Sequence, residues 1–325
     1  MSNPPTIKIG VIGAGYLGEF HIQQLQTIKN VKLVGFHDSN LDRSKTINSK
    51  YNVQGYNSYA DLYEICDAII IATPTGTHYQ IAKNVLNNGC HVFIEKPITK
   101  KLKQAQELIE EATKRNLLIQ VGHIERFNPA FILLNNMDIT PKFIEVHRLA
   151  SFKSRGQDTS VVLDLMIHDI DIILSILKSE ITDVQANGVS VITSETDIAN
   201  ARITFRNKCI VNLTASRISL KEMRKMRIFQ NKSYINIDFL NKNMEEYLLT
   251  DKKEVNKNSE LFPYDDKGTK FIQYTKNDGE KHNALQEELK HFITCIQNNT
   301  QPIINGKIAK EALNIALIIQ EKINE

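Results

Sequence analysis

Residues 7–18, Ile-Lys-Ile-Gly-Val-Ile-Gly-Ala-Gly-Tyr-Leu-Gly, decide how the first third of the chain is read. The β-branched run Ile7 to Ile12 reads as a strand, and an amphipathic stretch from Gly15 to Ile28 reads as a helix. Between them stands Gly13-Ala14-Gly15-Tyr16-Leu17-Gly18, a G-x-G-x-x-G, with Asp38 20 residues beyond Gly18 at the end of the next apolar run. The glycine pattern alone is weak, but in this strand, turn and helix context it is a dinucleotide-binding fingerprint of the Rossmann type. Gly13 permits the tight turn, Gly15 lets a pyrophosphate approach the backbone, and Gly18 lets helix and strand pack closely. The first helical turn, from Tyr16 and Leu17 onward, offers N–H groups and the positive end of the helix dipole to phosphates. Asp38 is expected to accept hydrogen bonds from ribose hydroxyls and to repel a 2′-phosphate, which favours NAD over NADP. Arg43 is close enough in sequence to count among the cofactor contacts.

The same alternation continues outward. Val31 to Phe36, Ala68 to Ala72, Val92 to Ile94 and Leu117 to Val121 read as strands with few polar interruptions, as in a sheet covered on both faces. Helical patterns lie between them at Leu41 to Lys50, Gly76 to Asn88 and Leu102 to Arg115, the last with Thr99 as its expected N-cap. Repeated βα units predict an α/β fold with a doubly wound parallel sheet over residues 1–121. Residues 122–325 predict a second, α+β domain with an open, mostly antiparallel sheet. Its expected elements are helices at Pro129 to Asn136 and Val162 to Leu177, a strand at Phe143 to Leu149, and strands at Thr182 to Ile192, Ile198 to Phe205, Cys209 to Arg217, Lys225 to Gln230 and Tyr234 to Phe239. Thr250 to Asn283 is polar and reads as a loop. Two amphipathic helices, Ala284 to Asn298 and Lys307 to Ile323, end the chain and are expected to pack back on the first domain.

Composition sets the outer limits. The 325 residues are 42% hydrophobic and 24% charged, as in ordinary globular chains, which excludes wholesale disorder and a membrane bundle. Forty Lys and Arg against 37 Asp and Glu leave a net charge of +3, too small a surplus to argue for a nucleic-acid partner. No run of about 18 apolar residues occurs. The opening Met-Ser-Asn-Pro-Pro lacks the features of a signal peptide, so a cytoplasmic location is expected. Cys66, Cys90, Cys209 and Cys295 are far apart and lie mostly in apolar runs; they read as buried thiols, and neither they nor the histidines have metal-ligand spacing.

Three further motifs join the fingerprint: Ala72-Thr73-Pro74 with His78, Glu95-Lys96-Pro97, and Asp164 with His168 on the apolar helix. In this order and spacing the chain resembles, over nearly its whole length, the glucose-fructose oxidoreductase, inositol dehydrogenase and rhizopine catabolism (Gfo/Idh/MocA) family of NAD(P)-dependent oxidoreductases. Val121 to Pro129 and Leu163 to Asp171 are similar to the branch that holds UDP-N-acetylglucosamine 3-dehydrogenases. Val161-Val162 and Met166 stand where many family members carry glycines, which argues against the plain inositol dehydrogenases. The resemblance implies oxidation of a sugar secondary hydroxyl to a ketone, most specifically C3 of a UDP-linked N-acetylhexosamine. An inositol or free-sugar dehydrogenase, or a non-catalytic NAD-binding regulator, are the alternatives. It also implies a cis Lys96–Pro97 bond.

Such a reaction needs a hydride acceptor, a base for the hydroxyl proton and groups that hold the atoms in line. Asp164 and His168, four apart on a helix, share a face. The carboxylate would orient the imidazole, with His168 as base. Lys96, at the end of a parallel strand, would hydrogen-bond the reacting oxygen or serve as the alternate base. Thr73, Pro74, His78 and Glu95 are expected beside the cofactor. His123, Glu125, Arg126, Asn128 and Arg155 are expected at the substrate, with Arg126 meeting either a substrate phosphate or an acidic neighbour. An open sheet in the second domain needs a cover, and self-association to a homodimer or homotetramer would provide it.

Overall fold

The fingerprint strand is β1 (Ile7–Ile12), followed by α1 (Tyr16–Leu25), β2 (Val31–His37), α2 (Leu41–Tyr51), a single turn α3 (Ala60–Tyr63), β3 (Ala68–Ile71), α4 (Thr75–Asn87), β4 (His91–Glu95), α5 (Leu102–Lys114) and β5 (Ile119–Gly122). The five strands form one parallel sheet in the order β2-β1-β3-β4-β5. In that order the crossover direction reverses between β1 and β3, and the crevice at their carboxyl ends is where such sheets receive ligands. The computed structural model describes residues 5–135, 137–152, 159–251, 259–266 and 269–325. Two units are distinguishable: Met1–Ile124 with Asn283–Leu313, and Glu125–His282 with Asn314–Glu325.

Local chemistry explains the helix starts. The Asn40 side chain accepts from the N–H groups of Asp42 and Arg43, both at 3.0 Å, and so opens α2. Thr99 does not cap α5: the N-cap is Lys101, and the Thr99 hydroxyl donates to the Lys101 carbonyl at 2.9 Å.

The second unit begins with a 3-10 turn (Ile124–Phe127) leading to α6 (Pro129–Leu134) and β6 (Phe143–Leu149). Val162–Met166 forms a π-helical turn that runs into α7 (Ile167–Ile176). There follow β7 (Ile181–Val189), β8 (Ile198–Phe205), β9 (Ile210–Ser216), β10 (Met223–Gln230), β11 (Ser233–Asp238), β12 (Asn243–Thr250), β13 (Ser259–Pro263) and β14 (Phe271–Asp278). They make one sheet, β13-β14-β12-β11-β10-β6-β9-β8-β7, antiparallel except where β6 lies parallel to β9. Burial alternates along β6: Ile144, Val146 and Arg148 are buried, while Phe143, Glu145, His147 and Leu149 on the other face are not. Among the described residues, one face of β6 is therefore buried and the other only partly so.

Thr250 to Asn283 is not simply a loop, because β13 and β14 lie in it and β12 precedes it. Their residues are polar because the strands sit at a sheet edge with an open face, where backbone pairing and the tilted rings of Tyr247 and Tyr274, 5.0 Å apart, hold them. The strand from Thr182 stops at Val189 and not at Ile192. Asp197 accepts the N–H groups of Val191, Ile192 and Thr193 at 2.8, 2.7 and 2.9 Å and turns the chain.

The chain closes with α8 (Ala284–Asn298) and α9 (Gly306–Asn324). In the first unit α8 packs Leu289, Phe292, Ile293 and Cys295 into a core shared with Ile9, Val11, Phe36 and Phe93. Each such large side chain contributes about 1.5–3 kcal/mol by leaving water. All four cysteines are buried and free, and burial pushes the Cys66 thiol up to about 12 and the Cys90 thiol to about 11.

Candidate active site

The glycine loop sits at the carboxyl end of β1, and its three glycines meet different constraints. Gly13 has φ +90°, and a Cβ there would lie 2.7 Å from the Ala72 carbonyl oxygen at the end of β3. A Cβ on Gly18 would lie 1.8 Å from the Gly13 carbonyl oxygen. Gly15 differs, because a Cβ there would meet nothing within 4 Å. As the N-cap of α1 it also brings no side-chain oxygen to the first-turn N–H groups. An open space in front of an uncapped helix N-terminus fits a pyrophosphate.

Asp38 lies beside this loop. Its Oδ2 accepts from the Ala14 N–H at 2.7 Å and its Oδ1 from the Asn40 N–H at 2.8 Å, so the carboxylate is locked with lone pairs remaining for ribose hydroxyls. Arg43 lies across the loop. Its Nε donates to the Ala14 carbonyl at 2.7 Å, and Nη2 donates to the Gly15 carbonyl at 3.3 Å and to the Glu19 carboxylate. Hydrogen bonds from Lys50 and Arg43, with one from Tyr51, hold Glu19 down at about 2 against the opposing effect of burial. Arg43 thus clamps the loop, and its guanidinium is already matched to protein acceptors.

Lys96 follows β4, half-buried, before a cis bond to Pro97. Residues on both sides of it are tied to buried histidines. Glu95 Oε1 lies 2.7 Å from His21 Nε2. His78 on α4 points Nδ1 at the Pro97 carbonyl, 2.9 Å, and Nε2 at the Thr73 carbonyl, 2.8 Å. Burial lowers the His78 pKa, although the carbonyls oppose it. Glu95 is held below its ordinary value: burial pushes it up, and the His21 hydrogen bond and the charges of His21 and Lys96 outweigh that.

In the second unit Asp164 lies in the π turn and His168 in the first turn of α7, both partly exposed on a segment whose other residues are largely buried. π turns interrupt helices often at functional positions. Glu125 and Asn128 have interior partners. Glu125 Oε1 accepts from Arg148 Nη1 at 2.8 Å and Oε2 from Asn128 Nδ2 at 2.9 Å, while Asn128 also donates to the Phe239 carbonyl and caps α6. Arg126 finds the acidic neighbour: its Nε is 2.9 Å from Oδ2 of buried Asp171, and its guanidinium lies over the Phe131 ring. His123, after β5 in the first unit, is buried. Arg155 lies outside the described residues. Among the described residues no three His, Cys, Asp or Glu side chains group as metal ligands, and no helix is long and apolar enough to cross a membrane.

Sequence reasoning missed Arg148, Asp169 and Asp171, whose partners are 21 to 45 residues away along the chain. Their sequence signal was a charge at a position that the alternation of the strand, or the apolar face of the helix, turns inward.

Known proteins supply the last observation. Residues 7–123 match the oxidoreductase family with an NAD-binding Rossmann fold, and residues 140–235 match the GFO/IDH/MocA C-terminal domain. A UDP-N-acetylglucosamine 3-dehydrogenase of Acidithiobacillus ferrooxidans is 34% identical over 97% of this chain and 96% of its own. A crystal form of that organism's UDP-N-acetylglucosamine 3-dehydrogenase superposes with a TM-score of 0.87 at 33% identity, over 98% of this chain and 97% of the other. The scyllo-inositol 2-dehydrogenase (NAD(+)) of Bacillus subtilis is 26% identical over 96% of this chain and 92% of its own. Sequence identity carried along both units, together with the NAD-binding sheet, shows that the chain belongs to the GFO/IDH/MocA oxidoreductase family.

Proposed function

We propose that the protein is an NAD-dependent dehydrogenase that oxidises C3 of UDP-N-acetylglucosamine, or of a closely related UDP-sugar, to a ketone. The observation that carries this reading is the 34% identity, over 97% of the chain, to a UDP-N-acetylglucosamine 3-dehydrogenase. Bound NAD supplies the hydride acceptor. The first-turn N–H groups of α1 and the open side of Gly15 would receive the pyrophosphate, and Asp38 would hold the adenosine ribose. With Arg43 committed to the Ala14 carbonyl and Glu19, no counter-charge from that residue favours a 2′-phosphate.

Lys96 hydrogen-bonds the reacting oxygen and stabilises its developing negative charge. His168 takes the hydroxyl proton, and Asp164 fixes the imidazole tautomer and stabilises the imidazolium that forms. Thr73, Pro74 and His78 shape the cofactor side, and His123 the substrate side. Glu125, Arg126 and Asn128 act in this reading as supports, because their side chains already meet interior partners. Calorimetry with UDP-N-acetylglucosamine in the presence of NAD tests the substrate. Binding supports the reading, and failure to bind removes it.

We also propose a homodimer or homotetramer formed through the open sheet face. An aromatic row crosses that face: Phe143, Phe229, Tyr234, Tyr247 and Tyr274 have successive ring centroids 5.8, 4.9, 5.4 and 5.0 Å apart. Phe229 and Tyr247 remain 38% and 37% exposed. A row of this length on a single chain supports a partner surface. A cytoplasmic location belongs to the same reading and is supported by four free, buried thiols.

A further inference from the structure

Lys96 stands between two residues that are each tied to a buried histidine, and the proton transfer above passes through neither imidazole. His21, on α1 one turn beyond the glycine loop, is fully buried. Among the described residues its Nδ1 has no hydrogen-bond partner, and its ring meets Phe93 edge-on at 5.2 Å. A carboxylate can only accept, so it is Nε2 that donates, to Glu95 Oε1 at 2.7 Å. The other carboxylate oxygen is walled by β5, because a Cβ on Gly122 would lie 2.9 Å from Glu95 Oε2. Held by His21 and backed by Gly122, the carboxylate has one place to be. On the far side of Lys96, His78 grips the Pro97 carbonyl.

We propose that His21 is a positioning residue for Lys96, acting through a Glu95 carboxylate that it fixes beside the lysine, with His78 bracing the following residue. The inference rests on the reading of Lys96 as the group that meets the reacting oxygen. Glu95 is the opposite charge immediately before Lys96 in the chain, so the place in which its carboxylate is held governs where the ammonium sits. It also explains why residue 122 is glycine at an extended, buried strand position.

The test uses the full-length protein and two readouts. In the cofactor-free protein, Lys96 is pulse-labelled with acetic anhydride at fixed pH and quantified by mass spectrometry, with Lys101 and Lys103 as internal references. Calorimetry gives NAD affinity. Moving or neutralising the Glu95 carboxylate should make Lys96 label about 10-fold faster in His21→Leu, Glu95→Gln and Gly122→Ala, with the reference lysines unchanged. NAD affinity should stay within about threefold, and turnover of the sugar that the wild type oxidises should fall about 10- to 100-fold, the usual scale for supporting residues. His21→Gln, whose amide can still donate, should recover most of both losses. Should His21→Leu fail to fold, Glu95→Gln and Gly122→Ala carry the test. Wild-type labelling of Lys96 in these variants, or lost NAD affinity with unchanged turnover, overturns the proposal. Altered labelling together with full turnover by Lys96→Ala sustains the bracing and removes instead the reacting-oxygen role of Lys96.

Discussion

Arg148 holds Asp169 with both arms of its guanidinium, Nε 2.8 Å from Oδ2 and Nη2 2.7 Å from Oδ1. Its third nitrogen donates to Glu125 at 2.8 Å. The three side chains are almost fully buried, and together they fasten α7, one residue after His168, to β6 and to the turn that opens the second unit. Only a planar fork with several donors can satisfy two carboxylates in this way.

Removing that guanidinium takes both hydrogen bonds from buried Asp169 and leaves Glu125 to Asn128 at 2.9 Å and Arg224 at 3.6 Å. Arg148→Met should lower the unfolding free energy by about 3–5 kcal/mol in urea titration, and Arg148→Lys should recover little of it. Arg148→Met with Glu125→Gln and Asp169→Asn should regain much of the loss, since the carboxylates no longer carry charge. A single-variant cost below about 1 kcal/mol would show that the cluster is not what anchors α7.

Gly15 and Gly18 make a contrasting pair. Gly15→Ala enters open space at φ −63°, so thermal unfolding should match the wild type, while NAD affinity measured by calorimetry should fall about 10-fold or more because the methyl occupies the pyrophosphate approach. Gly18→Ala should reduce stability itself, because its methyl meets the Gly13 carbonyl. Unchanged NAD affinity in Gly15→Ala would move the phosphates elsewhere.

Acid should loosen the clamp on the glycine loop. Glu19 has its pKa depressed to about 2 by Lys50 and Arg43, so its stabilising contribution is complete above its unfolded value of 4.5 and disappears as pH falls toward 2. Because the side chain is 21% exposed, that contribution is about 1 kcal/mol after solvent screening. Denaturant titrations of Glu19→Gln should show this loss at pH 7, and a shallower decline than the wild type between pH 5 and pH 2. Parallel declines would refute the linkage.

The aromatic row predicts an assembly. Sedimentation at micromolar concentration should give a dimer or tetramer, and Phe229→Glu with Tyr247→Glu should give a folded monomer. A monomeric wild type would contradict the proposed cover for the open face.

What was legible in the sequence was whatever depends on near neighbours. The glycine loop announces itself because Gly13 and Gly18 answer to backbone atoms within a few residues or on the adjacent strand, and because Asp38 falls at a set distance beyond. The strands of the first unit are readable because burial on both faces makes Ile69 to Ile71 or Val92 to Ile94 almost wholly apolar. The edge strands β13 and β14 were hidden, since Gln273, Thr275 and Lys276 draw their order from β12 and not from their own pattern. His21 and Glu95 are 74 residues apart, a separation at which one sequence carries no pairing signal.

The central claim is settled most directly by NADH absorbance. Purified protein with NAD is offered UDP-N-acetylglucosamine, other UDP-sugars, scyllo- and myo-inositol and free hexoses, beside its Lys96→Ala and His168→Ala variants. The account predicts NADH formation with UDP-N-acetylglucosamine and a loss of about 100-fold or more in each variant. NADH formation with an inositol or a free sugar and none with any UDP-sugar, or full activity in both variants, would contradict it.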